Sequence, residues 1–185
     1  QILPAAVSLP AGAAGSFEVQ VTIPAGASGS ESDTATITAT SQGDPAQSDS
    51  AQIVTAVTPF YDLSLSSGSA KSGTAGSQVI YSLTITNTGN LTDSFTLAAT
   101  GQTWNTTLST SLVMLAPAAS AVFTVTVSIP PGAADQDADS VTITATSQND
   151  GGQSRTAVLT TTTVSSSANP SLFLPVVTAN VRPGG

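Results

Sequence analysis

Thr36-Ile37-Thr38-Ala39-Thr40-Ser41-Gln42 recurs letter for letter at Thr142 to Gln148, 106 positions further on. The same shift, without a gap, places Phe17 on Phe123, Ile23-Pro24 on Ile129-Pro130, Ala25-Gly26 on Pro131-Gly132 and Gln47-Ser48 on Gln153-Ser154. Chance does not sustain such agreement over half a domain. A repeat of about 100 residues is the size of a sandwich domain, whereas solenoid units run to roughly 20–50.

The second copy can be read strand by strand. Leu63 and Leu65 alternate with polar residues, as do Val79, Tyr81, Leu83 and Ile85, which end at the turn Asn87-Thr88-Gly89-Asn90. Phe95, Leu97 and Ala99 follow, then a short stretch around Trp104 and Leu108. Phe123, Val125, Val127 and Ile129 form the clearest pattern, stopped by Pro130-Pro131-Gly132; Val141, Ile143 and Ala145, then Ala157, Leu159 and Thr161, complete the set. Period-two alternation puts each apolar series on one face and the intervening Ser and Thr on the other. Seven short strands separated by turn signals predict an all-β chain of tandem immunoglobulin-like sandwiches. The expected division is a partial domain at 1–58, a complete one at 59–164, and a linker with an apolar tail at 165–185.

Composition narrows function by exclusion. Hydrophobic residues make up 39% and charged residues 8%, a balance that favours a packed core over disorder. Three cations, Lys71, Arg155 and Arg182, against a net charge of −8 cannot line a phosphate backbone, so no nucleic-acid partner is expected. No apolar run approaches the roughly 20 residues of a membrane-spanning helix, and no membrane insertion is expected. His and Cys are absent, which removes the commonest general base and metal ligands and the commonest thiol nucleophile. The carboxylates fall in polar turns, and Ser has no base to activate it, so catalysis is not expected. Low charge with abundant Ser and Thr fits an extracellular or cell-surface location, and the start at Gln1 reads as a processed piece of something longer.

Asn87-Thr88-Gly89-Asn90, Trp104, Leu115-Ala116-Pro117 and the Phe123 strand ending in Ile129-Pro130-Pro131-Gly132 together carry a resemblance. The chain resembles prokaryotic Ig-like modules that occur beside the carbohydrate-binding domain of α-galactosidases and in many surface proteins. The resemblance spans 60–164 and the second half of the unit in 1–57. It implies a spacer, a stalk or an adhesive module, with no catalytic residues to carry over.

Gln1 aligns with Thr107, so the opening strands of the unit have no counterpart in the first copy. What remains there is an apolar set, with Phe17, Val19, Val21, Ile37 and Ile53 prominent, that lacks much of its covering layer. A segment so short buries too little surface to fold alone. The far end carries the opposite oddity, since Leu172, Phe173, Leu174, Val176 and Val177 have no place in the second domain. Burying each would contribute about 1.5–3 kcal/mol, against about 1–2 kcal/mol per residue for ordering the backbone. Strand addition, which also makes backbone hydrogen bonds, would tip that balance. The expectation is head-to-tail assembly with copies of itself, the tail as donor and the first domain as acceptor, giving an open filament or surface layer. The alternative expectation is a spacer or adhesive module cut from a larger secreted or surface protein, such as the appendage of a hydrolase.

Three smaller features carry candidate chemistry. Asp135, Asp137 and Asp139 alternate as calcium-loop ligands do, although the glycine and distal glutamate of an EF-hand are missing; a solvated acidic turn is the plainer reading. No other cofactor is expected. Asn90-Leu91-Thr92 and Asn105-Thr106-Thr107 are glycosylation sequons. Trp104 could stack on carbohydrate, but nothing else in the pattern supports a sugar site, and a core or edge position is the plainer reading.

Overall fold

The computed structural model describes residues 2–3 and 6–165. The first copy contributes β1 (Ile2–Leu3), β2 (Glu18–Val19), β3 (Ser32–Thr40) and β4 (Ser48–Ala56). The second contributes β5 (Leu63–Leu65), β6 (Ala70–Gly73), β7 (Gln78–Asn87), β8 (Asp93–Thr100), β9 (Asn105–Leu108), β10 (Leu112–Leu115), β11 (Ser120–Ser128), β12 (Ala138–Ser147) and β13 (Ser154–Thr163). The chain is all-β, as expected.

In the second copy one sheet runs β10-β8-β12-β13-β6 and the other β5-β7-β11-β9. Alternation does the building: along β7 buried and exposed positions alternate from Gln78 to Ile85. Val79, Tyr81, Leu83 and Ile85 meet Phe95, Leu97, Val141, Ile143 and Leu159 from the other sheet in one continuous core. The phenol of Tyr81, fully inside, donates to the Thr160 carbonyl at 2.8 Å, so this large ring is buried without an orphaned hydroxyl.

Two strands were not expected from the pattern. β6 reads Ala-Lys-Ser-Gly and has no apolar alternation; it exists because it pairs in parallel with β13, from Thr160↔Ala70 to Thr163↔Gly73. Gly68 permits that approach, since a Cβ there would collide with the Val158 backbone. β10 is a continuous apolar run whose Leu115 turns inward while Leu112 and Met114 remain exposed.

The first copy reproduces the second in backbone detail. β3 and β4 pair antiparallel from Ser32↔Ala56 to Thr40↔Ser48, and β12 and β13 pair from Ala138↔Thr162 to Thr146↔Ser154, the same register after the shift. Ile2↔Val19 likewise matches Leu108↔Val125. Left-handed residues also recur: Ser30 (φ 77°) with Gln136 (φ 67°), and Gly12 (φ 78°) with Ala118 (φ 61°). The closing bond of each hairpin is the same too, Val57 N to Glu31 O and Thr163 N to Asp137 O, both 2.8 Å. Although Phe17, Val19, Val21 and Ile23 alternate as β11 does, they give only the two-residue ladder of β2. Its counterpart β11 is paired on both sides, by β7 and β9. Among the described residues β2 has β1 on the β9 side and no strand where β7 would stand.

Candidate assembly site

Among the described residues no strand of the first copy stands where β5 to β8 would, and its apolar positions are the more exposed. Phe17 is 48% exposed where Phe123 is 2%, Val21 is 39% where Val127 is 1%, and Ile53 is 37% where Leu159 is 0%. Val19 and Ile37 are half-buried, whereas their counterparts Val125 and Ile143 are fully inside. All five residues named as acceptors from the sequence are more exposed than their counterparts in the second copy, and Val21 among them lines a groove. That groove of about 300 Å³ is lined by Val21, Ile23, Pro24, Ala27, Thr55 and Val57. The donor residues Leu172, Phe173, Leu174, Val176 and Val177 lie outside the described residues.

The two copies meet at a joint built from the Asn87–Asn90 turn. Asn87 is buried, and its amide donates to the Leu91 and Leu115 carbonyls while its Oδ1 accepts from Gly89 N, which pins the turn to the sandwich. Asn90 faces the linker: Phe60 N donates to its Oδ1 at 2.9 Å and its Nδ2 donates to Thr58 O at 3.0 Å. Its own carbonyl accepts from Gly29 N of the first copy at 2.9 Å. This last contact demands glycine. A Cβ at Gly29 would stand 2.6 Å from Asn90 Oδ1 and 2.9 Å from both Leu91 Cγ and Pro59 Cα. A second groove of about 500 Å³ opens here between Ile23, Phe60, Asn87 and Ala118. Sequence reading saw the turn but not the joint, although the isolated Gly29, where the second copy has Asp135, was a signal.

At the other end of the second copy Asp135 does different work. Its Oδ1 accepts from Ser165 N at 2.7 Å, and the Ser165 hydroxyl followed by that N–H holds the carboxyl below the usual aspartate range. Asp137 accepts from Ala134 N, and Asp139 accepts from Thr103 N, Thr103 Oγ1 and Trp104 N. The carboxylates of Asp135, Asp137 and Asp139, the candidate calcium ligands, thus go to three separate sets of partners. Among the described residues no group of three such side chains could hold a metal ion.

The two sequons differ. The Asn90 amide is engaged with the linker, whereas Asn105 is exposed at the start of edge strand β9. Trp104 is half-buried against the core of the second copy. One further buried polar group that the sequence pattern did not single out is structural. Asp93 is 1% exposed and accepts from Ser147 Oγ, Asn149 Nδ2 and Ser94 N, which ties the start of β8 to the β12–β13 turn.

A family model described as an Ig-like fold at the C-terminus of FixG, a putative oxidoreductase, matches residues 78–163. No curated protein matches the sequence. Among solved structures, a family 123 glycoside hydrolase from Clostridium perfringens is similar at 10% identity and TM-score 0.47, over 57% of this chain and 27% of that one. The secreted serine protease VesC from Vibrio cholerae is similar at 16% identity and TM-score 0.42, over 55% and 23%. Domains 4 and 5 of the S-layer protein SbsC are similar at 18% identity and TM-score 0.36, over 72% and 58%. The chain thus spans about a quarter of the length of that hydrolase and that protease. The matching family model is of an Ig-like fold, in agreement with the coarse part of the resemblance. It is not the α-galactosidase-associated family, and the second copy is an Ig-like β-sandwich without assignment to a surface-repeat family.

Proposed function

We propose that the chain is a non-catalytic Ig-like module of a secreted or cell-surface protein, serving as a spacer or adhesive segment. The observation that carries this reading is the joint. Gly29, Thr58 and Phe60 are hydrogen-bonded to a single residue, Asn90, so consecutive repeats are held in a fixed relation and not strung on a loose linker. A fixed relation between repeats is what converts a string of domains into a stalk of defined reach. The charged groups support the same reading, because the buried carboxylates Asp93 and Asp139 are consumed by structural hydrogen bonds. Small-angle scattering tests it. The chain should give one extended two-body profile, and Asn90→Ala should broaden the distribution of interdomain distances; a broad distribution already present in the unaltered chain would sink the stalk.

A second reading is favoured by the open face of the first copy. In it the chain is a subunit of an extracellular filament or surface layer, and Leu172–Val177 of one subunit completes the first domain of the next. Support comes from Phe17, Val21 and Ile53, which are exposed at positions that their counterparts bury. Exposed apolar surface of this kind marks an interaction site.

A further inference from the structure

We propose that Lys71, Thr110 and the Asp62–Arg155 pair cap the outer strands of the second copy against pairing with strands of a neighbouring molecule. The caps let such modules crowd side by side without fusing edge to edge. This goes beyond the spacer reading and draws on neither the filament reading nor the first copy.

An outer strand turns every second backbone N–H and C=O away from its sheet, and such a row is a template for another chain. Along β10, Leu97 N donates to Ser111 O at 2.9 Å, so by alternation Phe95↔Val113 is also a bonded pair and Leu112 turns its backbone outward. The Thr110 hydroxyl fills that outward cleft. It donates to Leu112 O at 2.8 Å and accepts from Leu112 N at 3.3 Å. On the other sheet Ser66 N donates to Thr84 O and Thr88 N to Asp62 O, so the even-numbered residues of β7 face β5. The β5 register stops at Leu65↔Ile85, and Ile80 lies beyond it. There Lys71 Nζ donates to the Ile80 carbonyl at 2.7 Å, and it stands 5.2 Å from the centre of the Tyr81 ring, an attraction that keeps it in place. By the same alternation β5 turns Leu63 outward, and Leu63 N donates to Asp62 Oδ1 at 2.8 Å. That oxygen also accepts from Arg155 Nη2 at 2.7 Å.

The caps stand where pairing would otherwise be most favourable. An exposed apolar side chain beside an outward backbone pair is the combination that invites a second strand. Ile80 and Leu112 are both exposed, and each has its own outward backbone group occupied. Val122 and Val158 are exposed as well, yet they lie on β11 and β13, which are paired on both sides and need no cap. On β10 only Met114 then keeps an outward pair, one residue where strand addition uses several. Charge is scarce in this chain, at 8% of residues, and is placed accordingly. Both cations among the described residues, Lys71 and Arg155, serve at these edges.

The test opens the caps in the full chain, singly and together, with Lys71→Ala, Thr110→Val and Asp62→Ala. Thr110→Val keeps the shape of the side chain and removes only the hydroxyl, and Lys71→Arg keeps a donor for Ile80 O. Sedimentation velocity over a concentration series reads association. The unaltered chain is the reference, so any contact made by the first copy is common to all samples. The combined variant should associate about tenfold more tightly than the reference, the scale of one or two net hydrogen bonds regained between molecules. Lys71→Arg should match the reference. Trp104 fluorescence in denaturant verifies that the second domain is folded in each variant, and if the combined variant unfolds, Thr110→Val alone carries the test at β10. In the associated sample, amide exchange should slow at Ile80, Leu112 and Leu63 relative to the dilute one. A folded variant that associates no more than the reference overturns the proposal. Association that leaves exchange at those residues unchanged also overturns it, since the contact then lies elsewhere.

Discussion

The hairpins β3–β4 and β12–β13 have the same register, the same left-handed residue at the preceding loop and the same closing bond, yet only one of them lies over a core. The difference is supplied by residues far away in sequence. β12 has β8 on its free edge and faces β7 and β11 across the core, and among the described residues β3 has no paired neighbour besides β4. Register is therefore a local property, fixed by the turn and by side-chain alternation, whereas burial is a property of the whole sandwich. Asp33 and Asp139 show the same division in one residue pair. Asp139 clasps the backbone of Thr103 and Trp104, and its counterpart Asp33 is exposed.

The comparison can be broken or sharpened by paired substitutions at equivalent positions. The largest contrast is expected between Phe123→Ala and Phe17→Ala. The first should cost about 3–5 kcal/mol in the denaturant transition followed by Trp104 fluorescence, and the second should leave that transition within about 0.5 kcal/mol. Equal losses would mean that the two copies fold as one unit. Next comes Asp139→Ala, which strands the N–H groups of Thr103 and Trp104 and should cost about 1–3 kcal/mol, against about 0.5 kcal/mol or less for Asp33→Ala. Gly29→Ala should leave the second domain's transition unchanged and widen the interdomain distances seen by scattering, because the added carbon meets Asn90 and Pro59.

The smallest effects lie at the surface. The Arg155–Asp62 bridge of 2.7 Å is exposed at both partners, and Arg155→Ala should cost about 0.5 kcal/mol at most, less at high salt. Asp135 should be visible by its titration alone. Its carboxyl is depressed in the folded state, so the bond to Ser165 is fully formed above the ordinary aspartate range and is lost as pH falls through the lowered value. The Ser165 amide resonance should accordingly titrate at more acidic pH than a free aspartate allows; titration in the ordinary range would show that the cap does not form.

Much of this was legible in the sequence, for a physical reason. Letter-for-letter recurrence of Thr36–Gln42 at Thr142–Gln148 forces equivalent backbones, and alternating apolar residues in β7, β8, β11, β12 and β13 carry their own direction of burial. β6 could not be read, because a parallel pairing with β13 and the room left by Gly68 create it, and neither is encoded in Ala70–Gly73 itself. The fate of the acidic loop was likewise non-local. Alternate spacing put Asp135, Asp137 and Asp139 near one another along the chain, and the fold then sent each carboxylate to a different backbone donor. The joint was not legible because it depends on one close approach, Gly29 to Asn90, between residues far apart in the chain that no periodicity links.

Amide hydrogen exchange on the unaltered chain, diluted until monomeric and again at high concentration, addresses the closed and open copies most directly. The account predicts slow exchange along β7, β11, β12 and β13 in both samples. Along β2, β3 and β4 it predicts faster exchange than along their counterparts in the second copy, in both samples. Slow exchange of β3 and β4, equal to that of β12 and β13, would contradict it, since the two copies would then be equally closed.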